Sequence, residues 1–239
     1  MTELLCQANS YLKEFDAKIV DVDAETCAVV LDQTAFFPGG GGQPCDIGLL
    51  TISGTEYTVT KVKKKGADAL HFLGGDVDLP EVGATVHGSI DWERRYQLMR
   101  THTAMHILCG VVFRDYGALV TGGNMEILKG RMDFEFETMR GELVREIEKA
   151  INIEAQKGHD VKVAVLPREE AFQVPDLIRT KINLLPEGIT EIRTIEIVGL
   201  DLQADGGTHV KNTSEVGKLR VADYKSKGKI NKRIYIEVE

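Results

Sequence analysis

The sequence predicts an α+β fold, in which a small N-terminal β-barrel precedes a domain of mixed helices and strands. Residues 17–88 contain short β-branched segments separated by glycines, a pattern typical of small barrels and sandwiches. After Asp91 the pattern changes to helices and strands without regular βαβ alternation, which favours α+β. We therefore expect a boundary at 88–91, with a barrel domain of residues 1–89 and a second domain of residues 90–239.

Three stretches predict the strands of the barrel. The first, AKIVDVDAETCAVVLD at 17–32, alternates apolar and polar residues and is rich in valine. The second, LLTISGTEYTVTKVKKKG at 49–66, breaks at Gly54 and resumes, as expected for a hairpin. The third, DVDLPEVGATVHGSID at 76–91, predicts another strand with turns around it.

The strongest helix signal is DWERRYQLMRTHTAMHILCGVVFRDYG at 91–117, where apolar residues recur in steps of three and four. Ser89 or Asp91 can cap its start, and Gly117 can end it. Residues 140–158 predict a second amphipathic helix, and residues 168–182 predict a helical segment broken by Pro175. The remaining predicted elements are strands at 130–137 and 160–167, a strand followed by a turn at 190–207, and a closing hairpin at 215–239 with its turn at 226–229.

Composition and charge limit the classes of protein to consider. The chain has 239 residues, 43% of them hydrophobic, and no apolar run is long enough to span a bilayer. The N-terminus lacks the pattern of a signal peptide, and four cysteines without a CxxC motif favour a reduced, cytoplasmic setting. The net charge is −8, yet 206–239 contains eight basic and four acidic residues, and KVKKKG at 61–66 is also basic. Such clusters can attract a polyanion, although alone they are typical of solvated hairpins. The sequence carries no signal for an oligomeric state.

Two histidine-containing stretches indicate a candidate metal site. His102 and His106 are four residues apart in a helical pattern, so they lie on one helix face and can share a cation. The spacing is that of HExxH, but its glutamate is missing, which argues against a zinc peptidase. In QADGGTHV, two glycines favour a tight turn that brings Asp205 and His209 together. From the residues alone, core histidines and a simple glycine turn remain alternative interpretations.

A third motif is TAFFPGGGGQPCDIG at 34–48, in which Gly39, Gly40, Gly41 and Gly42 are consecutive. Glycines allow positive φ and a close approach of the backbone to a ligand, and their N–H groups can surround an anion. No GK[ST] follows, as a Walker A loop requires, and no helix follows, as a Rossmann fingerprint requires. The alternatives are a ligand-binding loop and a flexible barrel turn; the entropy cost of four glycines favours binding.

Together, these motifs resemble the editing domain of alanyl-tRNA synthetase, and more closely its free-standing relatives, the AlaX-type trans-editing proteins. The matching segments, in this order, are TAFFPGGGGQPCDIG, RTHTAMHIL, RMDF and DLQADGGTHVKNTSEVG, and the resemblance covers roughly residues 20–239. It implies that the second domain is an editing domain like those of threonyl- and alanyl-tRNA synthetases. The residues outside it are too few for an adenylate-forming domain.

The resemblance also implies an activity, a partner and a site. The activity is hydrolysis of serine or glycine from wrongly charged tRNA(Ala), with Ala-tRNA(Ala) spared. Zinc would be held by His102, His106, His209 and Asp205, the last standing where the synthetase pattern usually has cysteine. Zinc would either activate water or position the ester. In the barrel, Thr34 would recognise the serine hydroxyl, and Gln43 would add a second polar contact.

The four glycines would contact the terminal adenosine and its amino acid. Arg131 and Asp133 of RMDF match the family pattern too, and we interpret them as an ion pair that supports the core. Two other functions stay open: a non-catalytic tRNA-binding module whose metal is structural or lost, and a zinc hydrolase of a small ester or amide. Deacylation assays and the salt dependence of binding separate these alternatives.

Overall fold

The computed structural model of the chain describes residues 1–75, 77–179 and 188–239. These residues form two compact units, Met1–Tyr96 and Gln97–Glu239. The α+β class and the N-terminal barrel predicted from the sequence are both confirmed, because the first unit contains a closed six-stranded barrel and the second contains mixed strands and helices. Within the described residues, no helix has the length and apolar character needed to cross a membrane.

The first unit is built almost entirely from strands, with one short helix near its start and the beginning of a long helix at its end. Its elements are β1 (Glu3–Leu4), α1 (Leu5–Ala8), β2 (Glu14–Asp23), β3 (Ala28–Leu31), β4 (Gln33–Thr34), β5 (Gly48–Ile52), β6 (Thr55–Lys65), β7 (Asp68–Leu73), β8 (Thr85–Ile90) and the start of α2 (Trp92–Tyr116). The predicted strand at 76–91 is shorter than expected: Asp76 lies outside the described residues, and among the rest only β8 is strand.

The barrel closes in the order β2-β3-β7-β6-β5-β8. Its interior follows from alternation along each strand: in β2, Phe15, Ala17 and Ile19 are buried, whereas the residues between them are exposed. Gly88 in β8 pairs directly with Phe15, and a β-carbon at this glycine would lie 2.4 Å from the Phe15 ring. The glycine therefore makes room for an aromatic side chain inside a narrow barrel.

Helix α2 starts and ends where the sequence predicts. Of the two proposed caps, Asp91 is the one used, because its carboxylate accepts a hydrogen bond from the backbone N–H of Arg94 at 3.0 Å. At the other end, Gly117 adopts φ +65°, and its N–H donates to the carbonyl oxygen of Phe113 at 2.9 Å. Residues from Gln97 onwards belong to the second unit.

The second unit contains two antiparallel sheets and a second long helix. Its elements after α2 are β9 (Val120–Glu126), β10 (Lys129–Glu135), α3 (Gly141–Gln156), β11 (Val161–Pro167), α4 (Arg168–Ala171), β12 (Glu191–Ile197), β13 (Asp201–Ala204), a 3₁₀ turn (Thr213–Glu215), β14 (Leu219–Ser226) and β15 (Asn231–Val238). One sheet has the order β14-β15-β10-β9 and the other has the order β11-β12-β13. Asn152 of α3 fixes the helix to β14, because its amide donates to and accepts from the backbone of Leu219.

Most elements predicted for this unit are present. The predicted helix at 140–158, the strands at 130–137 and 160–167 and the closing hairpin all match observed elements. The segment at 190–207, predicted as one strand and then a turn, contains two strands, β12 and β13, because the chain turns at Gly199 with φ +79° and pairs with itself. The broken helix predicted at 168–182 is a single turn, α4, and residues 180–182 of that prediction lie outside the described residues.

Candidate functional site

The two histidines of the HxxxH pair lie one turn apart on α2, with both rings almost fully buried. Asp205 follows the end of β13, where its backbone N–H donates to the carbonyl oxygen of Arg193 at 3.1 Å. Its carboxylate accepts from the N–H of Gly207 at 2.7 Å, which forms the tight turn that the two glycines predict.

The segment after this turn is attached directly to α2. The hydroxyl of Thr103, which lies between the two helix histidines, is 3.2 Å from Nδ1 of His209 and accepts from the N–H of Val210 at 3.3 Å. Further along, Asn212 caps the 3₁₀ turn in a capping box and donates to the carbonyl oxygen of Gly158 at 2.8 Å. These contacts hold His209 against the helix although it lies about a hundred residues away in sequence.

The result is one buried cluster of three imidazoles and a carboxylate. Each of the four residues His102, His106, Asp205 and His209 offers a ligand atom within 4.8 Å of the others. The ring centroids of His102 and His209 are 4.2 Å apart, and that of His106 lies 5.2 Å and 4.7 Å from them. Asp205 reaches Nε2 of His209 at 3.1 Å and Nε2 of His102 at 3.6 Å. Within the described residues, the cluster is the one group whose donor atoms converge in this way.

Burial decides the charge of these side chains. It lowers the pKa of His102 from 6.5 to about 4, against the opposing charge of Asp205. Burial, and then the charge of His102, hold the pKa of His209 well below its usual value. Although burial opposes ionisation of Asp205, its place among the three imidazoles and a hydrogen bond from His209 keep its pKa well below the usual value. Neutral imidazoles beside an ionised carboxylate are the protonation states in which all these groups can bind a cation.

His106 differs from its neighbours. Burial alone would lower its pKa, but the hydrogen bond and charge of Asp201 raise the pKa above its usual value. Asp201 lies at the start of β13 with its side chain fully buried, and its Oδ2 is 3.1 Å from Nδ1 of His106. The sequence did not indicate this contact, because nothing in GLDLQ distinguishes a buried carboxylate from a turn residue.

The donor set fits a divalent transition-metal cation better than it fits magnesium or calcium. Imidazole and carboxylate are ordinary zinc ligands, whereas magnesium and calcium prefer oxygen. Three nitrogens with one oxygen match the number of protein ligands in a four-coordinate site, and they match an open catalytic site if the oxygen gives way to water.

The glycine-rich loop belongs to the first unit, and its four glycines all have positive φ, from +59° to +138°. Gly40 and Gln43 exchange two backbone hydrogen bonds, so Gly41 and Gly42 are the two central residues of a tight turn. A β-carbon at Gly40 or Gly41 would meet no atom within 4 Å. The backbone angles therefore require the glycines, and the backbone of Gly40 and Gly41 is open to a ligand.

A buried ion pair holds the base of this loop. Phe37 and Asp46, on either side of it, exchange hydrogen bonds of 2.6 Å and 3.0 Å. The carboxylate of Asp46 pairs with the guanidinium of Arg95, and neither side chain is exposed. Arg95 also donates to the carbonyl oxygens of Ser10 at 2.9 Å and Ala35 at 2.6 Å. The sequence did not predict this pair.

Thr34 and Gln43 are both buried, with 0% and 3% of their surface exposed. The hydroxyl of Thr34 contacts His71, which lies on β7 and is itself fully buried. His71 stands between apolar residues, with Leu70 before it and Phe72 after it, and a buried polar residue in such a run is a sequence signal for a buried polar pair. In the second unit, Asp133 of the RMDF motif pairs with Arg233 at 2.6 Å and 2.7 Å, closer than with Arg131 at 3.7 Å.

The barrel, the unit of mixed helices and strands, and the buried His₃Asp cluster together define a two-part α+β protein with a candidate metal centre. Two family models match the chain: class II (A) tRNA synthetases over residues 5–94, and the second additional domain of threonyl and alanyl tRNA synthetases over residues 192–235. The chain is 40% identical to the alanyl-tRNA editing protein AlaX-M of Saccharolobus solfataricus, with all of both chains covered.

Two further relatives show similarity to the same group of proteins. The AlaX-M protein of Methanosarcina acetivorans is 38% identical, with 98% of each chain covered. The alanine–tRNA ligase of Pyrococcus furiosus is 38% identical over 92% of this chain but only 24% of its own length. The chain therefore belongs to the family of AlaX-M alanyl-tRNA editing proteins, as the motifs predict.

Proposed function

We propose that this chain is a trans-editing deacylase that hydrolyses Ser-tRNA(Ala) and Gly-tRNA(Ala) and spares Ala-tRNA(Ala). The relatives named as alanyl-tRNA editing proteins support the general activity. The observation that supports a mechanism for this hydrolysis is the buried cluster of His102, His106, Asp205 and His209. An editing hydrolase needs a site that acts on an ester, and a bound cation can activate an ester or a water molecule. Among the described residues, this cluster has the side chains to hold such a cation.

The four cluster residues would hold Zn²⁺. Bound zinc would supply a Lewis acid that polarises the ester carbonyl or lowers the pKa of water to about 7. The chain's own contribution is to keep His102 and His209 neutral by burial, so that their lone pairs are available, and to place a carboxylate beside them. Asp205 is either the fourth ligand or the group that yields its position to water, because a carboxylate is a harder ligand than the thiolate of the synthetase pattern.

The barrel residues would bind the aminoacyl end of the tRNA. Gly39, Gly40, Gly41 and Gly42 present backbone without side chains, which suits contact with the terminal adenosine. Thr34 would accept a hydrogen bond from the serine hydroxyl, and Gln43 would provide a second polar contact. Alanine lacks that hydroxyl, so a site built to bind it rejects correctly charged tRNA. Glycine lacks it too, and its removal must depend on other contacts.

The test is a deacylation assay with Ser-, Gly- and Ala-tRNA(Ala), performed beside a measurement of bound zinc. Wild-type protein is expected to bind zinc and to release serine and glycine while leaving alanine in place. His102→Ala is expected to lose both metal and activity. His87→Ala is the matched control, because His87 is an exposed histidine of the barrel whose substitution should change neither. Full activity of His102→Ala without metal would refute the metal-centred mechanism.

A second candidate function is a tRNA-binding module that leaves the ester intact. The feature that favours it is Asp205, which stands where the synthetase pattern has cysteine and could mark a lost catalytic site. This alternative predicts binding of tRNA(Ala) without release of any amino acid. The same deacylation assay separates the two functions.

A further inference from the structure

We propose that Asp201 is a positioning residue of the candidate metal centre: its buried carboxylate fixes the ring of His106 in the tautomer that binds the cation. The inference rests on the proposed function, because it assigns a role at the same centre. It concerns a residue that contacts the histidine ring and none of the reacting atoms.

The first step is the direction of the hydrogen bond. Oδ2 of Asp201 is 3.1 Å from Nδ1 of His106, and the Asp201 side chain has no exposed surface. An ionised carboxylate can only accept, so Nδ1 of His106 carries the ring proton. The lone pair of the neutral ring then lies on Nε2, on the opposite side of the ring from Asp201. A zinc-binding histidine needs this arrangement, in which one nitrogen donates to an outer partner and the other binds the metal.

The second step is that Asp201 is itself held in place. The side-chain amide of Gln203 donates to Oδ2 at 2.6 Å, and Nε of Arg179 donates to Oδ1 at 3.4 Å. The guanidinium of Arg179 lies 3.7 Å above the ring of Phe113, which is on the same helix as His106. The carboxylate is therefore held by Gln203 of its own strand and by Arg179, which packs on α2, and the charge of Arg179 offsets the cost of burying it.

The third step compares the three histidines. Nδ1 of His209 is paired with the hydroxyl of Thr103, and His102 is hydrogen-bonded to the backbone of Thr208. Both partners are a hydroxyl or a backbone group, whereas the partner of His106 is a buried carboxylate. Carboxylate–histidine–metal arrangements orient the ring and strengthen it as a ligand, and loss of the outer partner typically lowers metal affinity by about 10–100-fold. Asp201 is thus expected to matter more for metal affinity than Thr103.

The experiment measures the Kd for Zn²⁺ by competition with a chromophoric chelator, on the full-length chain. Asp201→Asn is expected to weaken binding by about tenfold or more, because the amide keeps the size of the side chain but loses its charge. Asp133→Asn is the matched control: Asp133 is also a buried carboxylate of the second unit with an arginine partner, but that partner is Arg233. Its zinc Kd is expected to stay within about twofold of wild type.

Urea unfolding of both variants in the presence of EDTA provides a second readout. A merely structural role for Asp201 would lower stability in both variants and leave the zinc Kd of both unchanged. If wild type binds zinc and deacylates, and Asp201→Asn binds zinc within about twofold of wild type, the role of Asp201 is refuted. The proposed metal centre would then stand. Wild-type protein that binds no zinc would overturn both the inference and the proposed metal centre.

A measurement on the wild-type chain covers the case in which Asp201→Asn does not fold. Long-range ¹H–¹⁵N NMR of the metal-depleted protein, recorded at a pH high enough for the His106 ring to be neutral, reports which nitrogen carries its proton, with His106→Gln supplying the assignment. The proton is expected on Nδ1. A neutral ring with its proton on Nε2 would overturn the proposal, because that tautomer places the lone pair against the carboxylate.

Discussion

The hydroxyl oxygen of Thr34 lies 2.9 Å from Nε2 of His71, and both side chains are fully buried in the barrel. Nδ1 of His71 faces the carbonyl oxygen of Val29 at 3.3 Å, and a carbonyl only accepts, so this nitrogen carries the ring proton. The hydroxyl of Thr34 therefore donates to Nε2, while it accepts from the backbone N–H of Phe36 at 3.1 Å. Its one proton is used, so Thr34 can serve a ligand only as an acceptor.

This arrangement makes the effect of Thr34→Val depend on the substrate. A serine hydroxyl can donate to Thr34, but glycine has no such group, so we expect the variant to lose serine hydrolysis by about fivefold to tenfold relative to glycine hydrolysis. The measurement is kcat/KM for both charged tRNAs.

Thr34→Ser, which keeps the hydroxyl, is the control for that comparison. Thr34→Val also removes the donor to His71 and is expected to cost about 1–3 kcal/mol of stability, which Thr34→Ser should largely avoid. Equal losses for serine and glycine would show that the hydroxyl has no part in substrate recognition.

His71 should make the stability of the barrel depend on pH. Burial lowers its pKa from 6.5 to about 4. Between these two values the unfolded chain binds a proton that the folded chain does not, so stability falls as the pH falls through this range. The expected loss is about 2 kcal/mol between about pH 7.5 and about pH 5.

The check is urea unfolding at both pH values in EDTA, with His71→Gln beside wild type. The variant should be less stable at neutral pH, and its loss on acidification should be smaller by about 2 kcal/mol. His87→Gln replaces an exposed histidine and should keep the wild-type dependence. A His71→Gln protein that loses as much stability as wild type would contradict the assignment.

Arg95 and Asp46 should be the most sensitive ion pair of the first unit. Removing one partner of a fully buried pair leaves an uncompensated charge, which typically costs about 3–5 kcal/mol. We expect Arg95→Met to lose stability on this scale, and to loosen the glycine-rich loop that Asp46 closes.

Lys65→Met is the comparison for the Arg95 prediction. Lys65 pairs with Asp23 at 3.7 Å on the surface, with 72% of its side chain exposed, so its loss should change stability little. Urea unfolding measures the first effect, and hydrogen exchange at residues 38–45 measures the second. Similar stability for the two variants would mean that Asp46 finds another partner.

The sequence predicts those elements whose signals, such as caps and alternation, lie within the element itself. It does not predict features that depend on contacts between residues far apart in the chain. Helix α2 has a capping aspartate at one end and a glycine with positive φ at the other, and both signals lie within the segment itself. Strand β9, VTGGNME, was missed because two glycines hide any alternation; it is a strand because β10 pairs with it.

The same division applies to the site. The spacing of His102 and His106 places them on one helix face, but their meeting with Asp205 and His209 was implied by a family resemblance and not by any local pattern. The partners of His106 and Arg95 are 95 and 49 residues away, respectively, and no periodicity relates residues at such separations. Buried polar pairs of this kind are recognised only when the packed structure shows what each group contacts.

Asp205 is expected to contribute to zinc binding. Asp205→Ala should lower the zinc content of purified protein, because it removes an oxygen donor beside His102 and His209. Asp205→Asn tests the turn separately, because its amide oxygen can still accept from the N–H of Gly207. Metal content is measured by atomic absorption after gel filtration. Wild-type zinc content in both variants would remove Asp205 from the ligand set.

The C-terminal hairpin is expected to contact tRNA phosphates. Residues 206–239 contain eight basic and four acidic residues, and Lys227 and Lys229 are exposed at the turn between β14 and β15. Each phosphate contact makes binding more dependent on salt, so Lys227→Gln with Lys229→Gln should reduce the slope of log K against log salt by about 2.

The control for the hairpin lysines must remove the same total charge elsewhere. Lys18→Gln with Lys162→Gln does so, because both lysines are exposed and lie on strands β2 and β11. Filter binding of tRNA(Ala) at several salt concentrations gives both slopes. If the two double variants lower the slope equally, bulk charge and not the hairpin governs binding. If only the hairpin variant does so, its lysines lie against the phosphate backbone, since counterion release depends on local contact.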